Sequence, residues 1–167
     1  MASEPGTKAY GILSVMIQAW YNVEYLFTVD ENVFNPPPKV KSAVIRMTRN
    51  EVTDLGCDEK LFKQVVKATF NQRRKMLRVS LRQIFSGKQT TEDFFQRDIM
   101  TKRPEQLTIA QFVDLTNQID TVQDSFETEI TENYSGLEET INNAIDGFEE
   151  EIGSFSDTLN NKVEIKL

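Results

Sequence analysis

The sequence contains no histidine and only one cysteine, Cys57, among its 167 residues. Without histidine, the Ser-His and Cys-His pairs of nucleophilic catalysis are excluded, together with the most common metal ligand. A single cysteine can form neither an internal disulfide nor a cysteine-rich metal site. The chain also lacks the apolar run of about 18 residues that a membrane-spanning helix needs. Its N-terminus lacks the basic and apolar regions of a secretory signal. These absences predict a cytoplasmic protein without a metal centre or a membrane association.

Charge is divided unevenly along the chain. Residues 1–119 contain 17 Lys and Arg and 13 Asp and Glu, a net charge of +4. Residues 120–167 contain 2 Lys and 13 Asp and Glu, a net charge of −11. Such an asymmetry predicts parts with different functions. Together with the periodicity of the apolar residues, it divides the chain into residues 1–49, residues 50–119 and an acidic tail, residues 120–167.

Residues 1–49 predict one helix and two strands. Residues 10–22 are apolar around most of a helix, which predicts a helix buried on several sides. Residues 24–29 are aromatic and β-branched, and residues 40–47 alternate in the manner of a strand. Three consecutive prolines, residues 36–38, separate the two predicted strands. We therefore expect an antiparallel pair of strands with a long connection that contains the prolines.

Residues 50–119 predict a small helical subdomain. Asp58 is a good N-cap for a helix that begins at Glu59. The periodicity of residues 61–82 predicts one amphipathic helix with a basic stripe. Arg73 would lie on the apolar side of this helix and would need a partner. Residues 90–93 open a short helical turn. Thr108 and Gln111 have the spacing of a capping box at the start of a further helix.

The acidic tail repeats every 11 residues. The first position of the repeat is Phe126, Leu137, Phe148 and Leu159, and the fifth position is Ile or Val in all four repeats. A period of 11 residues corresponds to 3.67 residues per turn, typical of a straight helix or a slightly right-handed coiled coil. A helix with one apolar stripe needs a partner, because isolated helices are marginally stable in water. A homo-oligomer formed through residues 120–167 is one prediction, and masking of the basic part of the chain by the acidic tail is another.

Three segments occur in a characteristic order. The first, residues 8–49, contains KAYGILSVMIQ, EYLFTV and VFNPPPKVKSAVIRMTR. The second is ATFNQRRKMLRVSLRQ at residues 68–83, and the third is RPEQLTIAQFVDLTNQI at residues 103–119. Together they resemble the ribosomal RNA adenine dimethyltransferase family over about residues 5–119. Members of this family methylate two adjacent adenines of small-subunit rRNA and take the methyl groups from S-adenosylmethionine. The resemblance implies that residues 1–49 are the end of a Rossmann-like catalytic domain. Residues 50–119 then match the helical domain that follows it and binds rRNA.

The resemblance also implies site residues. Phe34 matches the aromatic residue beside the flipped target adenine, and Pro36 and Pro37 would hold that wall in place. The alternative is that Phe34 is a core residue at a turn. Lys and Arg side chains on the predicted basic stripe or next to it in sequence are candidates for contact with RNA phosphates, and the alternative is a solvated basic face. These candidates are Arg73, Arg74, Lys75, Arg78 and Arg82.

The sequence departs from the family pattern in two ways. No G-x-G pattern and no N-x-P-Y motif occur, so the elements that hold S-adenosylmethionine and the target amine are missing. We therefore expect a C-terminal fragment that binds no cofactor, is inactive alone and contributes binding to small-subunit rRNA or a pre-ribosomal particle. The alternative is a non-catalytic interaction or oligomerisation protein that acts through its tail. The expected fold is mainly α, with a two-stranded antiparallel β element, a helical subdomain and a long amphipathic helical tail.

Overall fold

The structure, a computed structural model, describes residues 1–85 and 92–164, apart from the side chains of Glu92 and residues 160–164. Short 3₁₀ turns join several of the helices. The helices and strands are α1 (Ile12–Gln18), β1 (Tyr21–Val29), β2 (Ser42–Arg49), α2 (Glu59–Asn71), α3 (Leu77–Ser80), α4 (Glu92–Gln96) and α5 (Ile109–Glu164). The expected fold class is confirmed in that the chain is mainly α, with one antiparallel pair of strands and a long C-terminal helix. The chain divides into two compact units, Met1–Gln123 and Asp124–Leu167, of which the second is described up to Glu164. The division of residues 1–119 at residue 49 stays a prediction.

Strands β1 and β2 form a two-stranded antiparallel sheet in which Tyr21 lies opposite Arg49. The register shifts between Tyr25 and Phe27, so one extra residue of β1 forms a bulge there. Much of both strands is exposed, and a two-stranded sheet is marginally stable by itself. The predicted long connection that contains the prolines is confirmed, because β1 ends at Val29 and β2 begins at Ser42.

The core of the first unit unites residues 10–19 with α2, α3, α4 and the beginning of α5. Tyr10 lies at the centre of this core and is fully buried, and its ring is 6.3 Å from that of Phe70. Burial raises the pKa of the Tyr10 phenol, and its hydroxyl has no hydrogen-bond partner within residues 1–85 and 92–164. The buried residues of this core cluster are Tyr10, Val15, Ala19, Leu61, Phe62, Val65, Val66, Leu77, Leu81, Phe85, Phe94, Met100, Leu107, Phe112, Leu115 and Ile119.

Two predicted helix starts are confirmed. The Asp58 side chain accepts a hydrogen bond of 2.6 Å from the Leu61 amide, so α2 begins at Glu59 as expected. Thr108 and Gln111 form the predicted capping box, with reciprocal hydrogen bonds of 3.2 and 3.1 Å. The predicted turn at residues 90–93 is helical from Glu92 onward, and residues 90 and 91 lie outside the described residues.

The first predicted helix is shorter than expected. Helix α1 ends at Gln18, and residues 21 and 22 already belong to β1. The expectation that this helix is buried on several sides is confirmed, because Ser14 and Val15 are buried and Ile12 and Met16 pack against the core, while Leu13 alone is exposed. Strand β1 begins where β-branched and aromatic residues become frequent, because these residues favour strands.

The prediction of one continuous helix over residues 61–82 was wrong. Helix α2 ends at Asn71, and Gln72 leaves the helical region with φ −115° and ψ 39°. The Leu77 amide then donates to the Lys102 carbonyl oxygen at 2.9 Å instead of continuing the helix. The break turns Leu77 fully into the core and leaves Met76 exposed.

The second unit consists of the part of α5 that begins at Asp124. It is helical at Gly136, Gly147 and Gly153, although glycine lowers helix stability by about 1 kcal/mol relative to alanine. A Cβ atom added at any of these three glycines would meet no heavy atom within 4 Å. Across the described parts of the chain, no helix is long and apolar enough to cross a membrane.

Candidate nucleic-acid interface

The loop between the strands presents Phe34 at its surface. The Asp30 carboxylate caps the 3₁₀ turn Glu31–Val33 by accepting a hydrogen bond of 2.9 Å from the Asn32 amide. The Phe34 amide closes the turn with a 3.3 Å hydrogen bond to the Glu31 carbonyl oxygen. Phe34 then adopts an extended backbone, with φ −103° and ψ 149°. Local hydrogen bonds therefore fix the point at which Phe34 leaves the turn.

The Phe34 side chain is 42 % exposed and lies outside the core cluster. The alternative that Phe34 is a core residue was therefore wrong. Pro36 and Pro37 are also exposed, and the Asn35–Pro36 peptide bond is cis. Because each proline fixes its own φ, the loop after Phe34 is stiff. An exposed aromatic ring next to a stiff backbone provides a flat apolar surface on which a planar ligand can stack.

Arg73 is half-buried and is bound to other residues of the first unit. Its Nη2 donates to the carbonyl oxygens of Lys8, at 2.8 Å, and of Thr7, at 3.4 Å. Its Nε lies 3.8 Å from Glu105 Oε2, a separation that makes an ion pair but no hydrogen bond. The Gly6 amide also donates to the Glu105 carbonyl oxygen at 2.6 Å. The predicted partner of Arg73 is thus the N-terminal segment, which this guanidinium ties to the turn Pro104–Gln106.

Arg74 and Lys75 lie in the turn that follows α2, and both are exposed. A 2.7 Å hydrogen bond from the Lys75 amide to the Gln72 carbonyl oxygen closes this turn. Arg78 follows on α3 and is likewise exposed. Among the described residues, none of these three cations takes part in an ion pair within 4.0 Å. Their charges are therefore available to a ligand.

Arg82 lies beside an aromatic cluster formed by Phe85, Phe94 and Phe95. The rings of Phe94 and Phe95 are 5.3 Å apart, and Arg82 Cζ lies 5.8 Å from the centroid of Phe95. A guanidinium over an aromatic face is attracted by the ring quadrupole and is held in one orientation. Arg82 is therefore more restrained than Arg74 and Lys75, while its side chain stays exposed.

Sequence reasoning missed Arg97. Its Cζ lies 5.3 Å from the centroid of Phe94, and its Nη1 donates to Gln118 Oε1. Arg82 and Arg97 thus lie over neighbouring rings of the same aromatic cluster. The spacing Phe94-Phe95-x-Arg97 could have indicated a contact between Arg97 and an aromatic ring. It could not have indicated that Arg82, from a different segment, lies over the neighbouring ring. The structure thus brings Arg82 and Arg97 to one aromatic cluster. Phe34 is not joined to this cluster by any hydrogen bond, ion pair or ring contact of the described residues.

The structure gives no reactive nucleophile at Cys57. Burial raises the pKa of the Cys57 thiol, and the negative charges of Asp58, Asp54, Glu59 and Asp120 raise it further. A thiol in such surroundings stays protonated, and the thiolate is the reactive form. In the described ranges, no group of three or more Cys, Asp or Glu side chains is arranged to hold a metal ion.

The described residues do not fit S-adenosylmethionine. A dinucleotide or nucleoside cofactor of this kind is held by a Gly-rich turn between a parallel strand and a helix. The two strands of the described residues are antiparallel, and the glycines with positive φ, Gly6 and Gly56, do not stand directly after either strand. The open groove of about 470 Å³ beside Asn50 and Asn117 is no substitute, because both amides already donate to main-chain carbonyl oxygens.

Comparison with known proteins points to one family. Residues 1–121 match the family model described as ribosomal RNA adenine dimethylase. The protein of Bacteroides thetaiotaomicron called ribosomal RNA small subunit methyltransferase A is 66 % identical over 122 residues, which are 72 % of this chain and 44 % of that protein. Its Flavobacterium johnsoniae namesake is 53 % identical over 120 residues, again 72 % of this chain and 44 % of the relative. The chain thus spans less than half the length of these curated relatives.

A solved structure supports the same fold. The crystal structure of a dimethyladenosine transferase from Plasmodium falciparum matches with a TM-score of 0.57 over 72 % of this chain and 52 % of that one. Sequence identity to it is 18 %, so the match shows similarity of fold alone. The family model ends at residue 121, close to the boundary between the two compact units after Gln123.

Proposed function

Because this chain belongs to the ribosomal RNA adenine dimethylase family, we propose that its first unit contributes rRNA binding to an S-adenosylmethionine-dependent adenine dimethyltransferase. The resemblance seen in the three sequence motifs is confirmed by the match over residues 1–121. The observation that carries the RNA-binding part of the proposal is the exposed group of Arg74, Lys75 and Arg78 without protein partners in the described residues.

These cations fit the RNA backbone better than they fit bases. Arg74 and Lys75 project from one turn and Arg78 from the next helix, so their charges can meet successive phosphates. Phosphate contacts of this kind carry no sequence information by themselves. Binding is therefore directed by shape and by the backbone, and its affinity falls as salt rises.

Arg73 has a different role in this proposal. Its guanidinium is occupied by the carbonyl oxygens of residues 7 and 8 and by Glu105. Arg73 then positions the turn that carries Arg74 and Lys75, and it makes no phosphate contact of its own. Arg82 contributes charge from a fixed orientation over Phe95.

Phe34 supplies the aromatic wall for the target adenine, with Pro36 and Pro37 as its stiff support. Base stacking on an aromatic side chain contributes about 1–3 kcal/mol per base. The exposed ring and the fixed turn before it support this role. The described residues supply no other wall of such a pocket, and they do not fit the methyl donor. We therefore expect this chain to bind rRNA without transferring a methyl group.

The RNA-binding proposal is tested with an RNA hairpin from near the end of small-subunit rRNA that carries two adjacent adenines. The variant Arg74→Gln/Arg78→Gln removes two exposed charges from the proposed interface. Lys60→Gln/Lys67→Gln is the matched control, because it removes two exposed charges from α2. Affinity is measured by fluorescence anisotropy between about 0.05 and 0.2 M salt, the range in which phosphate contacts dominate.

We expect the Arg74/Arg78 variant to lower the slope of log affinity against log salt by about 1.4–1.8, since each lost phosphate contact removes about 0.7–0.9. The Lys60/Lys67 control should keep the slope of the unmodified chain. An equal reduction of this slope in the two variants would mean that RNA binding depends only on the net charge of the chain. The proposed interface would then be wrong.

A second candidate function is association through the tail. Its large apolar residues are exposed from Ile130 to Leu159, which favours a partner. The homo-oligomer predicted from the sequence stays a prediction. Sedimentation of the full chain at several concentrations decides it, because a mass that rises with concentration requires association of copies.

A further inference from the structure

The second unit carries a continuous apolar stripe. With 11 residues in three turns, each residue advances by about 98° around the helix. The large apolar side chains of the tail then fall within a sector of about 100°, wide enough for one face of a packed helix. They are Ile130, Tyr134, Leu137, Ile141, Ile145, Phe148, Ile152, Phe155 and Leu159.

No part of the chain that the structure describes covers this stripe. Each of its nine side chains is between 48 and 71 % exposed. Large contiguous apolar surfaces are rare on soluble proteins and mark sites of interaction. The three glycines of this helix have no crowded neighbour that would explain their presence, so packing within the chain accounts neither for them nor for the stripe.

Carboxylates border the stripe on both sides. Glu138 and Glu149, 11 residues apart, lie about 98° from the first repeat position on one side. Glu129 and Glu151 lie about 65° from it on the other side. Between residues 124 and 159 there are 11 Asp and Glu and no Lys or Arg. The apolar face therefore has two acidic borders and no basic one.

A second copy of this chain fits such a face poorly. In a parallel pair, the border with Glu138 and Glu149 meets the border with Glu129 and Glu151. In an antiparallel pair, each border meets its own counterpart. Both arrangements place carboxylates opposite carboxylates, and like charges at such flanking positions select against this pairing.

We propose that the tail is a docking surface for an amphipathic helix of another protein, one whose apolar stripe is bordered by Lys and Arg. Apolar residues of that helix cover the exposed stripe, and its cations meet the two acidic borders. Attraction between opposite charges also accelerates the encounter and makes it dependent on salt. This surface lies outside residues 1–121, so it does not depend on the proposed rRNA binding.

The proposal is tested with the full chain and three labelled 33-residue peptides. The Lys-flanked peptide carries Leu and Ile at stripe positions and Lys at both borders. The Glu-flanked peptide has the same stripe with Glu at the borders, and the stripe-free peptide has the Lys borders with Ser in place of Leu and Ile. Fluorescence anisotropy at 0.15 M salt gives the affinity of each peptide.

We expect saturable binding of the Lys-flanked peptide and at least tenfold weaker binding of the other two. The variant Ile141→Ser/Phe148→Ser should lose at least tenfold in affinity for the Lys-flanked peptide. Asn142→Ser/Asn143→Ser, on the opposite face, is the matched control and should bind as the unmodified chain does. Circular dichroism verifies that both variants keep their helix content.

Three outcomes would overturn the proposal. Equal affinity for the Lys-flanked and stripe-free peptides would show a response to charge alone. Equal affinity for the Lys-flanked and Glu-flanked peptides, or binding of none, would show that the borders do not select a basic helix. A concentration-dependent mass of the full chain at 0.15 M salt that disappears in Ile141→Ser/Phe148→Ser would assign the stripe to a second copy.

Discussion

The same substitution at two neighbouring arginines, Arg73 and Arg74, should have different effects on stability and on RNA binding. Arg73→Met removes the guanidinium that binds the carbonyl oxygens of residues 7 and 8 and faces Glu105. Arg74→Met removes an exposed guanidinium without an ion pair in the described residues. Methionine keeps most of the aliphatic stem in both variants. The comparison therefore isolates the charged group.

The expected loss of stability in Arg73→Met follows from its contacts. Hydrogen bonds of a charged group contribute about 1.5–3 kcal/mol, and only the 2.8 Å bond to Lys8 is short. The Arg73 side chain is 36 % exposed, so water screens its interaction with Glu105. We therefore expect the free energy of unfolding to fall by about 1–2 kcal/mol. Arg74→Met should change it by less than about 0.5 kcal/mol, as is usual for exposed sites.

Urea unfolding monitored by the fluorescence of Trp20 measures this difference. Trp20 is the one tryptophan of the chain and packs edge-on against Phe62 of the core, with ring centroids 6.2 Å apart. A loss of about 1–2 kcal/mol lowers the midpoint by roughly 0.5–1 M when the dependence on urea is about 2 kcal/mol per molar. Equal midpoints for the two variants would refute the structural role of Arg73.

A second measurement separates the two roles further. Arg74→Met should lower the salt dependence of RNA binding by about 0.7–0.9 in the logarithmic slope, because one phosphate contact is lost. Arg73→Met should leave that slope unchanged under conditions in which the variant is folded. A reduced slope in Arg73→Met, with normal stability, would place its guanidinium on RNA and contradict the assignment.

Three further outcomes are expected. Tyr10→Phe removes a buried hydroxyl without a partner in the described residues, so the free energy of unfolding should rise by up to about 1 kcal/mol, and a fall in thermal or urea stability would contradict this. Phe34→Ala should weaken binding of the adenine-bearing hairpin by about 1–3 kcal/mol with an unchanged urea midpoint, and unchanged affinity would remove Phe34 from the interface. Gly147→Ala meets no neighbour within 4 Å and should stabilise the tail helix by about 1 kcal/mol, seen as greater helicity on heating; lower helicity would show that the glycine is needed.

The parts of the fold that depend on near neighbours were predictable from the sequence. Asp58 caps α2 through a hydrogen bond to an amide three residues away, and Thr108 and Gln111 cap α5 at the same spacing. Both signals lie within one helical turn, so pattern and chemistry coincide. The long helix of the tail was predictable for the same reason, because its 11-residue period is a local property.

The break after Asn71 depends on contacts between distant residues. Arg73 finds its acceptor on Lys8, 65 residues earlier in the chain, and the Leu77 amide finds its acceptor on Lys102. Neither partner can be inferred from the periodicity of residues 61–82, which continues smoothly across the break. For this reason the predicted RNA-contact candidates separate into Arg73, which is bound to the N-terminal segment, an exposed turn, and Arg82, which is restrained over Phe95.

The repeat of the tail has a consequence for how its length can change. Eleven residues add three helical turns, a rise of about 16 Å, and return the apolar stripe to the same angle. Loss of residues 137–147 would therefore shorten the surface while leaving Phe148 in line with Phe126. Loss of one residue more or fewer would turn everything that follows by about 100° and break the stripe. Gain or loss of whole repeats thus changes the length of partner helix that the tail can cover, while the apolar stripe and its acidic borders stay the same.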